Sequence, residues 1–222
     1  ATDFVNSCDV PYLHIRKIPK KKYTIKNLIE LNMLDEKTAD YLINAASNSS
    51  GILFTGKGAS GKSTLMNVLL DYIPHDKSGL VIQENEELFS NSHPDMMFQH
   101  IVSTHGEGKI QYDLKDLGRN GLLTDLDYFI IGEIKGGEAL YLLNASYTGH
   151  RCWASVHVMS STEAFNKLAD YVKYESDYSL TDIKRMLIGI KTIVYMKDFK
   201  VCEISEVRGM ENGEIVYEKI LG

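Results

Sequence analysis

Hydrophobic residues along this chain follow two periods that alternate. The runs at 51–55, 79–83, 128–132 and 152–156 ("GILFT", "GLVIQ", "YFIIG", "CWASV") are apolar at nearly every position and read as short strands buried on both faces. Between them, apolar residues return every three or four positions, which predicts helices near 25–33, 36–47, 62–72, 113–123, 137–147, 161–173 and 180–188. Asp35 is placed to cap the second of these. A further strand is expected near 100–104. Strand–helix alternation predicts an α/β fold whose mainly parallel sheet is covered by helices on both faces. The rhythm then breaks into strands near 190–196, 200–208 and 214–220, with Asn212-Gly213 as the turn of the last hairpin.

The front of the chain is different. A short strand is predicted at 12–16, followed by a basic run from Arg16 to Lys22 that Pro19 interrupts. A solvated linker accounts for that run, and a membrane-surface or nucleic-acid patch is the other reading. Residues 1–20 therefore read as the end of an N-terminal unit plus a linker, and 21–222 as the α/β domain. The chain starts with Ala, not Met, so it is expected to be a piece of something longer.

Composition narrows the function classes. The 222 residues are 44% hydrophobic and 24% charged, as in ordinary globular domains. A net charge of −6 argues against nucleic acid as the main partner, because neutralising phosphates requires excess Lys and Arg. Cys8, Cys152 and Cys202 are far apart and form no C-x-x-C pair, which points to a reducing, cytosolic compartment without a zinc site. No apolar run approaches the ~20 residues that span a bilayer, and no signal peptide is visible.

The most informative stretch is "GILFTGKGASGKSTLMNVLL", 51–70. Gly56, Gly61, Lys62 and Ser63 fit the phosphate-loop pattern G-x-x-x-x-G-K-[ST], between a buried strand and an apolar-periodic helix. Glycines let backbone N–H groups curl around an anion, and a helix N-terminus adds partial positive charge. Lys62 would reach the outer phosphates and the Ser63 hydroxyl would ligate Mg²⁺. The alternative is a Gly-rich turn that binds nothing.

Three other strand ends carry polar groups to the edge where parallel sheets bind ligands. "YFIIGE" delivers Glu133, which can hold Mg²⁺ or position a water, or simply cap the next helix. "LVIQENEELF" ends in Glu84, Glu86 and Glu87, of which one or two can polarise water; an acidic loop is the plain reading. "ASVHVMSS" brings His157 to the same edge, either as a structural residue or as a reporter of the γ-phosphate. His150 with Gly149 reads as a helix cap.

Together, "GKGASGKST", "VIQENEEL", "IIGEIKGGEALYLLNASYTGH" and "SVHVMSS" resemble the Walker A, Asp, Walker B and His boxes of the type II/type IV secretion ATPases. The resemblance is strongest to the CpaF-like tight-adherence pilus and conjugative or type IV secretion branch, and it extends from about residue 10 to the tail "CEISEVRGMENGEIVYEKI". It implies a RecA-like ATPase domain using ATP and Mg²⁺, assembled as a homo-oligomeric ring, usually a hexamer. Such a ring sits on the cytoplasmic face of the membrane against a platform protein of a secretion or pilus machine. Of the family's N-terminal domain, only the last strand and linker are expected here.

By the same resemblance, Gly56, Lys57, Gly58, Ala59, Ser60, Gly61, Lys62, Ser63 and Thr64 bind phosphate, with Ser63 and Glu133 on the metal. Glu87 activates water, with Glu84 as its substitute. Glu133 is the Walker B glutamate, His157 the His-box residue, and Arg16 approaches the nucleotide.

Several positions depart from the pattern. "LLTDLD", 122–127, lacks the family's arginines before Walker B, and Lys135 and Lys167 stand where arginine is usual. Gly132 replaces the Asp before Glu133, Gln83-Glu84 replaces Glu-Asp, and Met159 replaces Asn. Lysine does not reproduce a bidentate guanidinium grip. Arg119, one helical turn before Leu123, is placed to reach partway into the vacated space. Two other function classes follow: a ring subunit that binds nucleotide but hydrolyses it weakly, and a P-loop phosphotransferase acting on a metabolite. The latter would need an acceptor pocket and a lid, and no Arg-rich lid segment is visible.

Overall fold

The computed structural model describes residues 22–103 and 110–222. The expected strand at 12–16, the front unit 1–20 as such, and Arg16 lie outside the described residues.

Local capping sets the first elements. Helix α1 (Ile25–Glu30) starts at Thr24, whose hydroxyl accepts the Asn27 N–H while the Asn27 side chain accepts the Thr24 N–H. Helix α2 (Glu36–Asn48) starts at Asp35, which accepts the Thr38 N–H at 2.8 Å, as predicted. Then come β1 (Gly51–Thr55), α3 (Lys62–Leu69), β2 (Gly79–Gln83) and β3 (Met96–His100). A small ribbon of β4 (Val102–Ser103) and β5 (Gln111–Tyr112) precedes α4 (Leu114–Gly121). The body continues with β6 (Tyr128–Ile134), α5 (Ala139–Tyr147), β7 (Arg151–Val156), α6 (Glu163–Glu175) and α7 (Leu180–Leu187). It closes with β8 (Thr192–Lys197), β9 (Lys200–Glu211) and β10 (Glu214–Leu221).

The eight-stranded sheet has the order β10-β9-β8-β1-β7-β6-β2-β3. From β8 to β3 every neighbouring pair is parallel, and β9 and β10 add as antiparallel hairpins. Among the described residues, the expected strand near 100–104 is met by the two residues of β4, and the sheet's own strand β3 lies about four residues earlier. It is an edge strand, half-buried on alternate residues, so its apolar signal is weaker than that of "IVS" just after it.

Alternation along the strands divides the core in two. Ile52, Phe54, Tyr128, Ile130, Trp153 and Val194 pack under α1, α2 and α3. Leu53, Phe129, Ile131, Ala154 and Ile193 pack under α4 to α7. Trp153 is fully buried at the centre of the first layer, edge-on to both Phe54 and Tyr128 at 6.1 Å. Among the described residues, no helix is long and apolar enough to cross a membrane.

Trp153→Ala should therefore lower unfolding free energy by about 3–5 kcal/mol, read from urea midpoints at unchanged m-value. Leu123→Ala, at a residue 83% exposed, should stay within about 0.5 kcal/mol of the parent. Equal effects of the two would contradict the core assignment.

Candidate functional site

Strand β1 is buried at all five positions and ends against a loop of alternating backbone hand. Gly56 has φ 141°, and a Cβ there would lie 2.2 Å from the Met196 carbonyl oxygen. Ala59 and Gly61 follow at φ 58° and 97°. A backbone that alternates in this way turns successive N–H groups into one concavity, the form of an anion nest. Helix α3 begins directly after it with Gly61 as N-cap, a residue with no side chain to accept the helix's first N–H groups.

Lys62 is 5% exposed, and its Nζ donates to the carbonyls of Gly56 at 3.0 Å and Lys57 at 2.8 Å. Burial lowers its pKa to about 8, against the opposing pull of Glu133. The Ser60 hydroxyl is buried without a partner among the described residues. A buried ammonium held by two carbonyls, an unsatisfied hydroxyl and an uncapped helix start together fit a polyphosphate. Gly58 to Thr64 line a cleft of about 400 Å³, shared with Lys22, Tyr23, Asn67, Glu87, Phe89, Glu133, Ser155, His157 and Phe199.

Glu133 reaches this cleft through a bulge. Ile131 pairs with Ala154 and Ile134 with Val156, so Gly132 and Glu133 together face the single residue Ser155. The Ser155 hydroxyl donates to the Gly132 carbonyl at 2.7 Å. Glu133 Oε1 lies 3.0 Å from His157 Nε2, and its Oε2 lies 3.3 Å from Lys135 Nζ. Lys135 also pairs with Glu84. Glu84, Glu87 and Glu133 border a small adjoining cavity of about 70 Å³, and Glu87 and Glu133 also line the main cleft.

Sequence reasoning missed the residue that positions Glu87. Gln83 is buried at the end of β2; its Oε1 accepts the amides of Glu87 and Leu88 at 2.9 and 2.8 Å, and its Nε2 donates to the Leu88 carbonyl. Asn67 on α3 supports the same loop, donating to the Glu87 carbonyl and accepting the Phe89 N–H. The available signal was a lone polar residue closing an apolar strand. Gln83 also bears on why glycine precedes Glu133, since a Cβ on Gly132 would sit 3.2 Å from Gln83 Cβ.

His157 lies over the loop, its Cε1 3.6 Å from where a Gly58 Cβ would be. Burial and then Lys62 push its pKa below 6.5, while Glu133 pulls it up. The ring is thus neutral at pH 7, and its contact with Glu133 is an Nε2–H donated to a carboxylate. His150 caps α5 as expected, with Nδ1 3.1 Å from the Ala145 carbonyl and from Thr148 Oγ1.

The described arginines all have partners outside the cleft lining. Arg119 is exposed on α4 and bonds to Tyr141. Arg151 donates to the Tyr128 hydroxyl and the Ser47 carbonyl, Arg185 pairs with Asp182, and Arg208 pairs with Glu206 and Glu218.

In an NMR titration of the nucleotide-free chain, His157 should titrate below 6.5. Glu133→Gln should lower that value further and Lys62→Ala should raise it. Because the fold disfavours the charged ring, stability should fall as pH drops below 6.5 and level off below the folded value. A value above 6.5 would mean that Glu133, not burial and Lys62, governs the ring.

A family model described as "Type II/IV secretion system protein" matches residues 7–194. The type IV secretion system protein VirB11 of Bartonella henselae is 30% identical over 173 residues, covering 74% of this chain and 48% of that protein. The crystal structure of the VirB11 ATPase of Brucella suis with sulphate superposes with a TM-score of 0.59 at 25% identity, over 82% of this chain and 55% of that one. The fold is also that of the pilus retraction motor PilT crystallised with ADP, with a TM-score of 0.62 at 20% identity over 93% of this chain and 55% of that one. The chain spans about half or less of the length of the curated relatives it matches. A phosphate loop, a carboxylate and a histidine set at one edge of a RecA-like sheet agree with the match over most of its length, and the chain belongs to the type II/IV secretion system protein family.

Proposed function

We propose that this chain is the ATP-hydrolysing core of a ring-shaped motor that powers pilus assembly, secretion or conjugative transfer from the cytoplasmic face of a membrane. The observation that carries this reading is that Lys62, Glu87, Glu133 and His157, from four separate segments, line one cleft around the phosphate loop.

The roles follow from the chemistry of each group. Lys62 exchanges the Gly56 and Lys57 carbonyls for β- and γ-phosphate oxygens, which compensate its charge better than two dipoles do. Ser63 and Glu133 would hold Mg²⁺, which when bound neutralises charge on the β- and γ-oxygens. Glu87 accepts a proton from the attacking water as the water oxygen bonds to the γ-phosphorus and the bond to the β–γ bridging oxygen breaks. Glu84, paired with Lys135, is the reserve for that role. His157 transfers its N–H from Glu133 to the γ-phosphate and so registers whether a triphosphate is bound.

A second reading, a ring subunit that binds nucleotide but hydrolyses weakly, is favoured by the arginines. None of the described arginines lines the cleft, and an arginine at the transition state contributes on the order of 10³-fold or more in rate. Arg16, with Arg119 as a weaker second, would complete the site, at least partly from a neighbouring subunit of a hexameric ring docked on a membrane platform protein.

Lys62→Ala should abolish ATP affinity or turnover with an unchanged circular dichroism spectrum; turnover at the parental rate would remove the phosphate-loop assignment. Glu133→Gln and Glu87→Gln should still bind a fluorescent ATP analogue and release no phosphate. Normal hydrolysis in Glu87→Gln would pass its role to Glu84. Activity per chain should rise with protein concentration, and Arg16→Ala should reduce it more than Arg208→Ala. Turnover indifferent to concentration and to Arg16 would exclude both the finger and the ring.

A further inference from the structure

The turn joining β8 to β9 contains a residue that turn chemistry does not favour. Lys197 pairs with Lys200, leaving Asp198 and Phe199 as a two-residue hairpin loop with φ 50° and 60°. Such loops place both central residues in the left-handed region, where Asn and Gly fit and a bulky side chain is strained. The neighbouring hairpin between β9 and β10 uses the favoured pair, Asn212 and Gly213, at φ 51° and 80°. Burial does not compensate the strain at Phe199, because the residue is 57% exposed.

The ring instead faces the phosphate loop. A Cβ on Gly61 would lie 3.3 Å from Phe199 Cδ1, with the Met33 and Met196 methyls at 3.0 and 3.4 Å. Phe199 and its two methionine neighbours thus form an apolar wall beside the start of α3, and Phe199 lines the cleft. Strain of this kind, retained at the rim of a site, is a pointer to function.

Sheet order gives the wall its place along a nucleotide. Strands β7, β6 and β2 lie on one side of β1 and carry His157, Glu133 and the Glu87 loop, so the γ end of a triphosphate points that way. Strand β8 lies on the other side of β1, and the rest of the nucleotide leaves the phosphate loop toward the β8–β9 turn. We infer that Phe199 is the stacking surface for the base of the bound nucleoside triphosphate. This rests on the nucleotide-site reading above and adds the base subsite to it. Every base presents a π-face, so the ring contributes affinity for a nucleoside over bare polyphosphate and does not select adenine over guanine. Tyr23 also lines the cleft, but Lys22 ties its segment to Asp71 and the Phe89 carbonyl, next to the β2 loop.

Calorimetric titration of the full chain with ATP, GTP and inorganic tripolyphosphate, each with Mg²⁺, tests this. Phe199→Gly should melt no lower than the parent, because it relieves the turn, yet bind ATP and GTP about tenfold more weakly. Its tripolyphosphate affinity should stay within about twofold of the parent, and Phe199→Trp should retain ATP affinity. Unchanged ATP binding in Phe199→Gly, a loss shared equally by tripolyphosphate, or a loss found in Tyr23→Ala instead would each overturn the inference. If the parent chain binds neither ATP nor tripolyphosphate, the nucleotide site itself is refuted and the base subsite with it.

Discussion

A buried ammonium group is the constraint on which the rest of this site depends. Lys62 is almost fully enclosed at the mouth of a parallel sheet, and its contacts are the carbonyls of Gly56 and Lys57. Burying a charge with incomplete compensation is costly, and that burial lowers the lysine's pKa to about 8 against the opposing pull of Glu133. The arrangement persists because β1 is pinned between β7 and β8 and Gly56 passes where no side chain fits. The loop is therefore held in a shape that satisfies its lysine poorly and would satisfy a phosphate well.

The acidic side of the cleft shows the complementary arrangement. Glu133 is held between a neutral imidazole and Lys135, and Lys135 is shared with Glu84. These shared partners link the ends of β6 and β7 to the loop after β2. An anion that drew Lys135 or His157 away from Glu133 would therefore alter the contacts of all three segments. Gln83 and Asn67 make that loop a fixed part of the site, since both hold it by its backbone.

Much of this was legible in the sequence because the physics is local. Unbroken apolar runs gave β1, β2, β6 and β7, and the phosphate loop depends on glycines at set positions that only such a backbone requires. What escaped was non-local or irregular. Strand β3 was displaced because an edge strand carries half the apolar signal of a central one. The bulge that turns Glu133 into the cleft is a register event between two strands and leaves no mark on either alone. Gln83 was visible as a letter but not as a buried organiser, and Phe199 occupies a turn position where sequence rules expect glycine or asparagine.

The most direct measurement is a crystal structure of the chain with Mg²⁺ and a non-hydrolysable ATP analogue. If the buried lysine is the phosphate ligand, Lys62 Nζ will have left the two loop carbonyls for β- and γ-phosphate oxygens, with Glu133 and His157 flanking the γ-phosphate. A triphosphate bound elsewhere, or bound while Lys62 still donates to Gly56 and Lys57, would contradict it.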